Sequence, residues 1–200
     1  MRYIVVLITL LIFNSCGFKE LKPLKYYTIK APTNTPIVRA YPNSSVKVSY
    51  PLSLSRSLDY KMAFDYGNGK RGFYQNSQWI RPLGKLVHSN IYTTLKKAQA
   101  FRDVLPLESN VLENYRVEIT VNEFKNLIES STSYAVVDLD ISLVDMNSRS
   151  IIKRKHFSLK EPSTTLNAQG YANAVNRAFE KIDNKLLEWL KSYYSPNKKY

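Results

Sequence analysis

A chain of 200 residues makes one domain or a small pair, since domains mostly run ~100–150 residues. Its apolar fraction of 44% and aromatic fraction of 12% suffice for a core and exclude general disorder. One cysteine, Cys16, excludes an intramolecular disulfide framework and a multi-cysteine zinc site, and two histidines, His88 and His156, leave little for a histidine-built metal centre. The 29 Lys and Arg against 16 Asp and Glu give +13, and so basic a surface calls for an anionic neighbour: a membrane, a nucleic acid or an acidic protein.

The chain opens Met1-Arg2-Tyr3 and runs apolar from Ile4 to Phe13, broken only by Thr9. That stretch is short for a bilayer, which needs ~20 residues, and has the form of a secretory signal. Phe13-Asn14-Ser15-Cys16 follows and resembles a bacterial lipobox, with small Ser15 before the cut and a thiol that can be alkylated to a diacylglyceryl thioether. An ordinary signal peptide with a chance cysteine is the plainer alternative. In the lipoprotein reading, residues 1–15 are a signal peptide and 16–24 the lipidated N-terminus and tether. A main domain spans 25–194 and a basic tail 195–200. A diacylglyceryl cysteine supplies two buried chains, enough for stable anchoring. Gly17 and Phe18 follow the cysteine, and the absence of aspartate there favours the outer over the inner membrane.

Past the tether, Tyr26 to Ile29 reads as a strand and Thr33 to Ser45 as a loop rich in Pro, Asn and Thr. Val46 to Ser49 alternates and stops at Pro51. Tyr60–Tyr66 and Gly72–Ile80 are strand-like runs around Gly67-Asn68-Gly69-Lys70-Arg71, where Asn-Gly predicts a hairpin with both central residues at positive φ. Arg81-Pro82 opens a helix whose apolar positions are Leu83, Val87, Ile91, Leu95 and Ala98.

Phe101–Leu107 returns as strand. Tyr115, Val117, Ile119 and Val121 then alternate with polar residues, as do Ala135, Val137, Leu139, Ile141 and Leu143. Residues from Asp145 to Ser150 turn, and Ile151–Leu159 pairs back. A last helix runs from about Thr165 to Tyr193, with Tyr171, Val175, Ala178, Ile182, Leu186 and Trp189 on one face. The pattern predicts a single α/β domain: a mixed, largely antiparallel sheet of about seven strands packed with two amphipathic helices.

Chemistry-bearing motifs are sparse. Gly67-Asn68-Gly69-Lys70-Arg71-Gly72 lacks P-loop spacing, has no Ser or Thr after its lysine, and joins two strands rather than leading into a helix. Asp138 and Asp140 share a strand face, but no loop supplies the six or more oxygens of a Ca²⁺ site. They are expected to face the basic run Lys153-Arg154-Lys155 on the next strand. Neither histidine lies near a nucleophile motif, and no G-x-S-x-G occurs. Carboxylates converging in space are the one catalytic route left open, and the chain reads as a non-enzyme. Its basic residues are scattered and form no recognised nucleic-acid module. An anionic membrane face or an acidic partner explains the charge better.

The order of these features carries a resemblance. The lipobox and tether lead to Tyr26-Tyr27-Thr28-Ile29, then a Pro-rich loop, then Leu54 to Met62 reading L-S-R-S-L-D-Y-K-M. After the hairpin, Trp79-Ile80-Arg81-Pro82-Leu83 reads W-x-x-P-L at the head of a helix. Tyr115 to Phe124 reads Y-x-V-x-I-x-V-x-x-F, before a long strand hairpin and an amphipathic C-terminal helix. Over roughly residues 16–192 this resembles the ABC-type transport auxiliary lipoprotein family, which includes the lipoproteins of paraquat-inducible systems that work with MCE-domain (mammalian cell entry) proteins.

The resemblance implies a lipid-anchored, periplasm-facing accessory subunit. It would bind an MCE protein that carries phospholipid or other lipid between membranes, powered by a separate ABC transporter, and it admits self-association into a ring. No cofactor is implied beyond the diacylglycerol and acyl chain on Cys16. Trp79 and Leu83 are expected to seat the first helix on the sheet, with a partner-binding Trp79 as the sharper alternative. A different reading is an envelope lipoprotein that regulates or assembles cell-wall or outer-membrane machinery. A third is a lipid carrier, which would need an apolar cavity.

Overall fold

The computed structural model describes residues 22–53 and 59–192. In chain order the elements are β1 (Lys25–Tyr27), β2 (Tyr41–Val48), β3 (Leu52–Ser53), β4 (Lys61–Asp65), β5 (Arg71–Trp79), α1 (Leu83–Lys97), β6 (Phe101–Leu105), β7 (Tyr115–Glu129), β8 (Thr132–Asp145), β9 (Ser150–Pro162) and α2 (Ala168–Lys191). Together they form one α/β domain.

The long strand β7 organises the sheet. One of its edges pairs antiparallel with β8 along its whole length, and β8 pairs in turn with β9. The other edge is shared by three short parallel strands: β2 beside Tyr115–Val117, β3 beside Thr120 and Val121, and β4 beside Asn126 and Leu127. From there the sheet forks. One wing adds β6 parallel to β2; the other adds β5 antiparallel to β4 and then β1 parallel to β5.

Nine strands are therefore present among the described residues, against about seven expected. Five of the eight pairings are parallel, so "largely antiparallel" describes only the β7–β8–β9 half and the β4–β5 hairpin. The reason is physical. Alternation reports which residues face the core but not the direction of the partner strand. The α1 connection carries the chain from β5 in one wing to β6 in the other, where β6 pairs parallel with β2.

Strand β2 begins at Tyr41, inside the stretch read as a loop. Tyr41 is 7% exposed and stacks on Phe101 of β6 with ring centroids 4.7 Å apart. The register shifts between Tyr41 and Ser45, and that irregularity accommodates Pro42, which cannot donate to a ladder.

The β4–β5 hairpin forms as expected, but its turn uses different residues. Positive φ falls at Gly67 (73°) and Gly69 (85°), not at Asn68. The Asp65 carboxylate accepts the Gly67 N–H at 2.8 Å, and the Tyr66 N–H donates to the Lys70 carbonyl at 3.0 Å. Two glycines and an aspartate thus set the turn.

Both helices cover one face of the sheet: α2 lies over β8 and β9, α1 over β2 and β6, and the two touch each other. Under them Ala135, Val137, Leu139, Ile141 and Leu143 of β8 are fully buried. Helix α1 buries Leu83, Leu86, Val87, Ile91 and Leu95, and α2 buries Tyr171, Val175, Ala178, Phe179, Ile182, Leu186 and Leu190. Helix α2 starts at Ala168 because Asn167 caps it, its side chain accepting the Gly170 N–H at 3.1 Å. Among the described residues the opposite face of the sheet carries no helix.

Candidate functional site

Cys16, the lipidation residue expected from sequence, lies outside the described residues, as do the signal segment and the basic tail. Trp79 lies in the core with 0% exposure. Its ring meets Phe124 of β7 edge-on at 6.0 Å and Tyr171 of α2 at 5.8 Å. The indole therefore joins the second helix to the sheet and presents no surface to a partner. Leu83 is buried on α1.

Asp138 and Asp140 face away from the helices, but not toward the basic run. Asp138 pairs across the ladder with Ser158, and Asp140 with His156. His156 lies 3.1 Å from Asp140 through Nδ1 and 3.5 Å from Asp138 through Nε2. The Asn122 amide donates to both carboxylates at 2.8 Å. That amide, more than the histidine, holds the Asp140 pKa below its ordinary value against the opposing effect of burial.

Alternation explains the mismatch: Lys153 and Lys155 pair with Leu143 and Ile141 and so lie on the helix side. Lys153 sits 4.6 Å over the Trp189 ring, where burial lowers its pKa to about 8. Arg154 alone of the three lies on the outer face, where it donates to the Ser142 hydroxyl. His88 contacts the Val48 carbonyl at 3.0 Å.

Three buried carboxylates, Asp65, Glu113 and Glu161, each hold two cations. Asp65 accepts the Gly67 N–H, which does most to lower its pKa, and pairs with Lys125 and Arg71. Burial opposes the ionisation of Glu113, but Arg116 and Lys47 outweigh it. Burial likewise opposes that of Glu161, which Lys181 and Arg177 of α2 overcome. These groups join elements: Asp65 ties β4 to β5 and β7, and Glu161 ties β9 to α2. Among the described residues no group of His, Cys, Asp and Glu is arranged to hold a metal ion, and no helix is long and apolar enough to cross a membrane.

One polar cluster escaped sequence reasoning. Asp183 of α2 is 1% exposed and faces Asn90 and Thr94 of α1. Burial raises its pKa to about 7, offset only in part by the Thr94 hydroxyl and the Asn90 amide. The Asn90 amide donates to it at 3.3 Å and also to the Lys30 carbonyl. The signal was present: Asp183 falls within the apolar stripe Phe179, Ile182, Leu186. Beside it a groove of about 240 Å³ runs under residues 30–34, lined by Asn176, Arg177 and Glu180. Another groove, of about 620 Å³ along β6, is lined by Arg39, Lys96 and Arg102 beside Phe101 and Leu105. Its cationic lining suits polar groups better than acyl chains.

This fold recurs in solved structures at low sequence identity. A protein of Xanthomonas campestris assigned to the DUF330 family superposes with a TM-score of 0.73 at 15% identity, covering 82% of this chain and 93% of that one. An uncharacterised protein gives 0.64 at 9% identity, covering 84% and 99%. A hypothetical protein of Chlamydia trachomatis gives 0.51 at 9% identity, covering 74% and 98%. No curated protein matches the chain. The family model described as "ABC-type transport auxiliary lipoprotein component" matches residues 27–186. That span takes in every strand from the end of β1 to β9 and most of α2, and on this match the chain belongs to the ABC-type transport auxiliary lipoprotein family.

Proposed function

We propose that the protein is a lipid-anchored, periplasm-facing accessory subunit of an MCE-type lipid transport system. It acts as an adaptor between an MCE-domain protein and the membrane that holds its anchor, while a separate ABC transporter supplies the energy. The observation that carries the reading is the family match over residues 27–186, joined to a sole cysteine that follows an apolar N-terminal run. In this layout residues 1–15 are removed, Cys16 carries diacylglycerol and an acyl chain, and residues up to 24 tether the domain. The outer membrane is the favoured site. The role is binding rather than catalysis, and the use of Asp65, Glu113 and Glu161 as ion-paired joints supports this.

Expression of the full-length protein beside Cys16→Ser tests the anchor. The wild-type N-terminal peptide is expected to begin at Cys16 and to carry the mass of the lipid, and the protein to stay in membranes after an alkaline wash. Cys16→Ser is expected to lose both properties. A wild-type peptide with an unmodified cysteine would overturn the lipoprotein reading.

A further inference from the structure

The outer face of the β4–β5–β1 wing differs from the rest of the uncovered sheet face. Over β7, β8 and β9 that face mixes the acids Glu118, Glu123, Asp138 and Asp140 with the bases Arg116, Lys125, Arg154 and His156. On the wing it carries aromatic and basic groups. Trp79 points into the core, so its neighbour in the strand, Gln78, points outward, and Gln78 pairs with Tyr26 of β1 on one side and Lys61 of β4 on the other. Tyr26 is 56% exposed, and Phe73, further along β5, is 46% exposed. The Lys61 ammonium lies 5.1 Å from the Phe73 ring centroid.

At the end of the wing Ile80 is 54% exposed, with its N–H bonded to the Tyr27 carbonyl, and Tyr60 is 47% exposed, with its carbonyl bonded to the Trp79 N–H. Exposed Arg81 borders the same end. The acid there, Asp59, accepts the Lys61 backbone N–H at 2.8 Å.

Rings with one wet edge beside lysine and arginine are the chemistry of a protein surface at lipid headgroups. Chain path brings this face to such a surface first. Strand β1 is the outermost strand of the wing and the first element after the tether. The nine residues from Cys16 to Lys25 reach at most ~30 Å when fully extended.

We propose that the outer face of the β4–β5–β1 wing rests on the anionic headgroups of the membrane that holds the Cys16 anchor, through Tyr26, Phe73 and Lys61, with Ile80 and Arg81 at its end. The inference rests on the lipid-anchor reading. It orients the molecule: the β2–β6 wing, at the opposite end of the strand order, faces away from the bilayer and is left for a protein partner.

The test uses the full-length lipoprotein, whose Cys16 thiol is blocked by its lipid. Single cysteines at Tyr26→Cys, Ile80→Cys and, as a control on the β6–β7 loop, Leu112→Cys carry an environment-sensitive fluorophore. Each protein is reconstituted in vesicles of phosphatidylcholine with phosphatidylglycerol, and in phosphatidylcholine alone. Labels at 26 and 80 are expected to shift to the blue in the anionic vesicles, and the label at 112, where Leu112 is 89% exposed, to stay in water. Lys61→Gln and Arg81→Gln should each lower the docked-to-free ratio about fivefold. The mass of the N-terminal peptide from the same preparation separates the two failures. Without acylation the anchor reading falls. With acylation, labels at 26 and 80 that stay in water, a shift at all three sites, or protection that appears only when a protein partner is added overturns the docking proposal.

Discussion

Asp183 is the residue on which the packing of the two helices bears hardest. Its carboxyl group is buried between α1 and α2, faced by the Thr94 hydroxyl and by the Asn90 amide at 3.3 Å. The charged groups near it offer no relief: Glu180 on its own helix adds to the rise in pKa that burial causes. Folded Asp183 therefore holds its proton up to about pH 7, whereas the unfolded chain releases it near 3.8. The folded state binds more protons in that window, so stability falls as pH rises through it and levels off above. Asp183→Asn keeps the shape and removes the titration. Urea unfolding of the variant is expected to show a flatter pH dependence between 4 and 7 than the parent, with a gain in stability at neutral pH. An unchanged pH profile would mean that Asp183 is ionised in the fold.

At the scale of elements, β7 shows how a sheet edge can be read from spacing. Its sequence alternates from Tyr115 to Val121 and then skips two residues before Phe124. The skip is a β-bulge: the register with β8 shifts between Val121 and Glu123. It returns Phe124 and Asn126 to the helix side, where Phe124 meets Trp79 and Phe179. Asn122 sits at the bulge and bridges Asp138 and Asp140. Asn122→Asp would replace two donated hydrogen bonds with a third negative charge. Bonds to charged acceptors contribute ~1.5–3 kcal/mol, and because these are partly exposed we expect a loss of about 1–3 kcal/mol at pH 7. The loss should shrink below about pH 4 as the carboxylates take protons. Urea titrations at the two pH values measure both.

Alternation along β7 and β8, the i, i+4 stripe of α1 and the apolar face of α2 were all legible, because each depends only on which residues are buried. The forked edge of β7 was not, because pairing direction leaves no mark in the pattern of a single strand. The start of β2 was hidden for a related reason. Only Tyr41 in its first four residues is buried, and a strand with one buried residue reads as a loop. The partners of Asp138 and Asp140 were misplaced because the basic run was taken as one unit, although neighbouring residues in a strand face opposite sides.

For the whole molecule, the charge of +13 is reconciled with a packed domain by using cations twice. Lys47, Arg71, Arg116, Lys125, Arg177 and Lys181 neutralise buried carboxylates and join elements. Others, including Lys61 and Arg81, remain on the surface. The anchor proposed at Cys16 rests on sixteen residues, since a thiol, a small residue and an apolar leader are local features. A partner was not, because an interface is defined by two surfaces and the chain contains one.

The central claim is therefore best tested on the native assembly. Full-length protein is cross-linked in its own cell envelope, purified by affinity with Cys16→Ser in parallel, and its partners are identified by mass spectrometry. We expect an MCE-domain protein, with or without its ABC transporter, to be enriched with the wild type and depleted with Cys16→Ser. Enrichment of a cell-wall synthase or an outer-membrane assembly protein instead, with no MCE protein, would contradict the account.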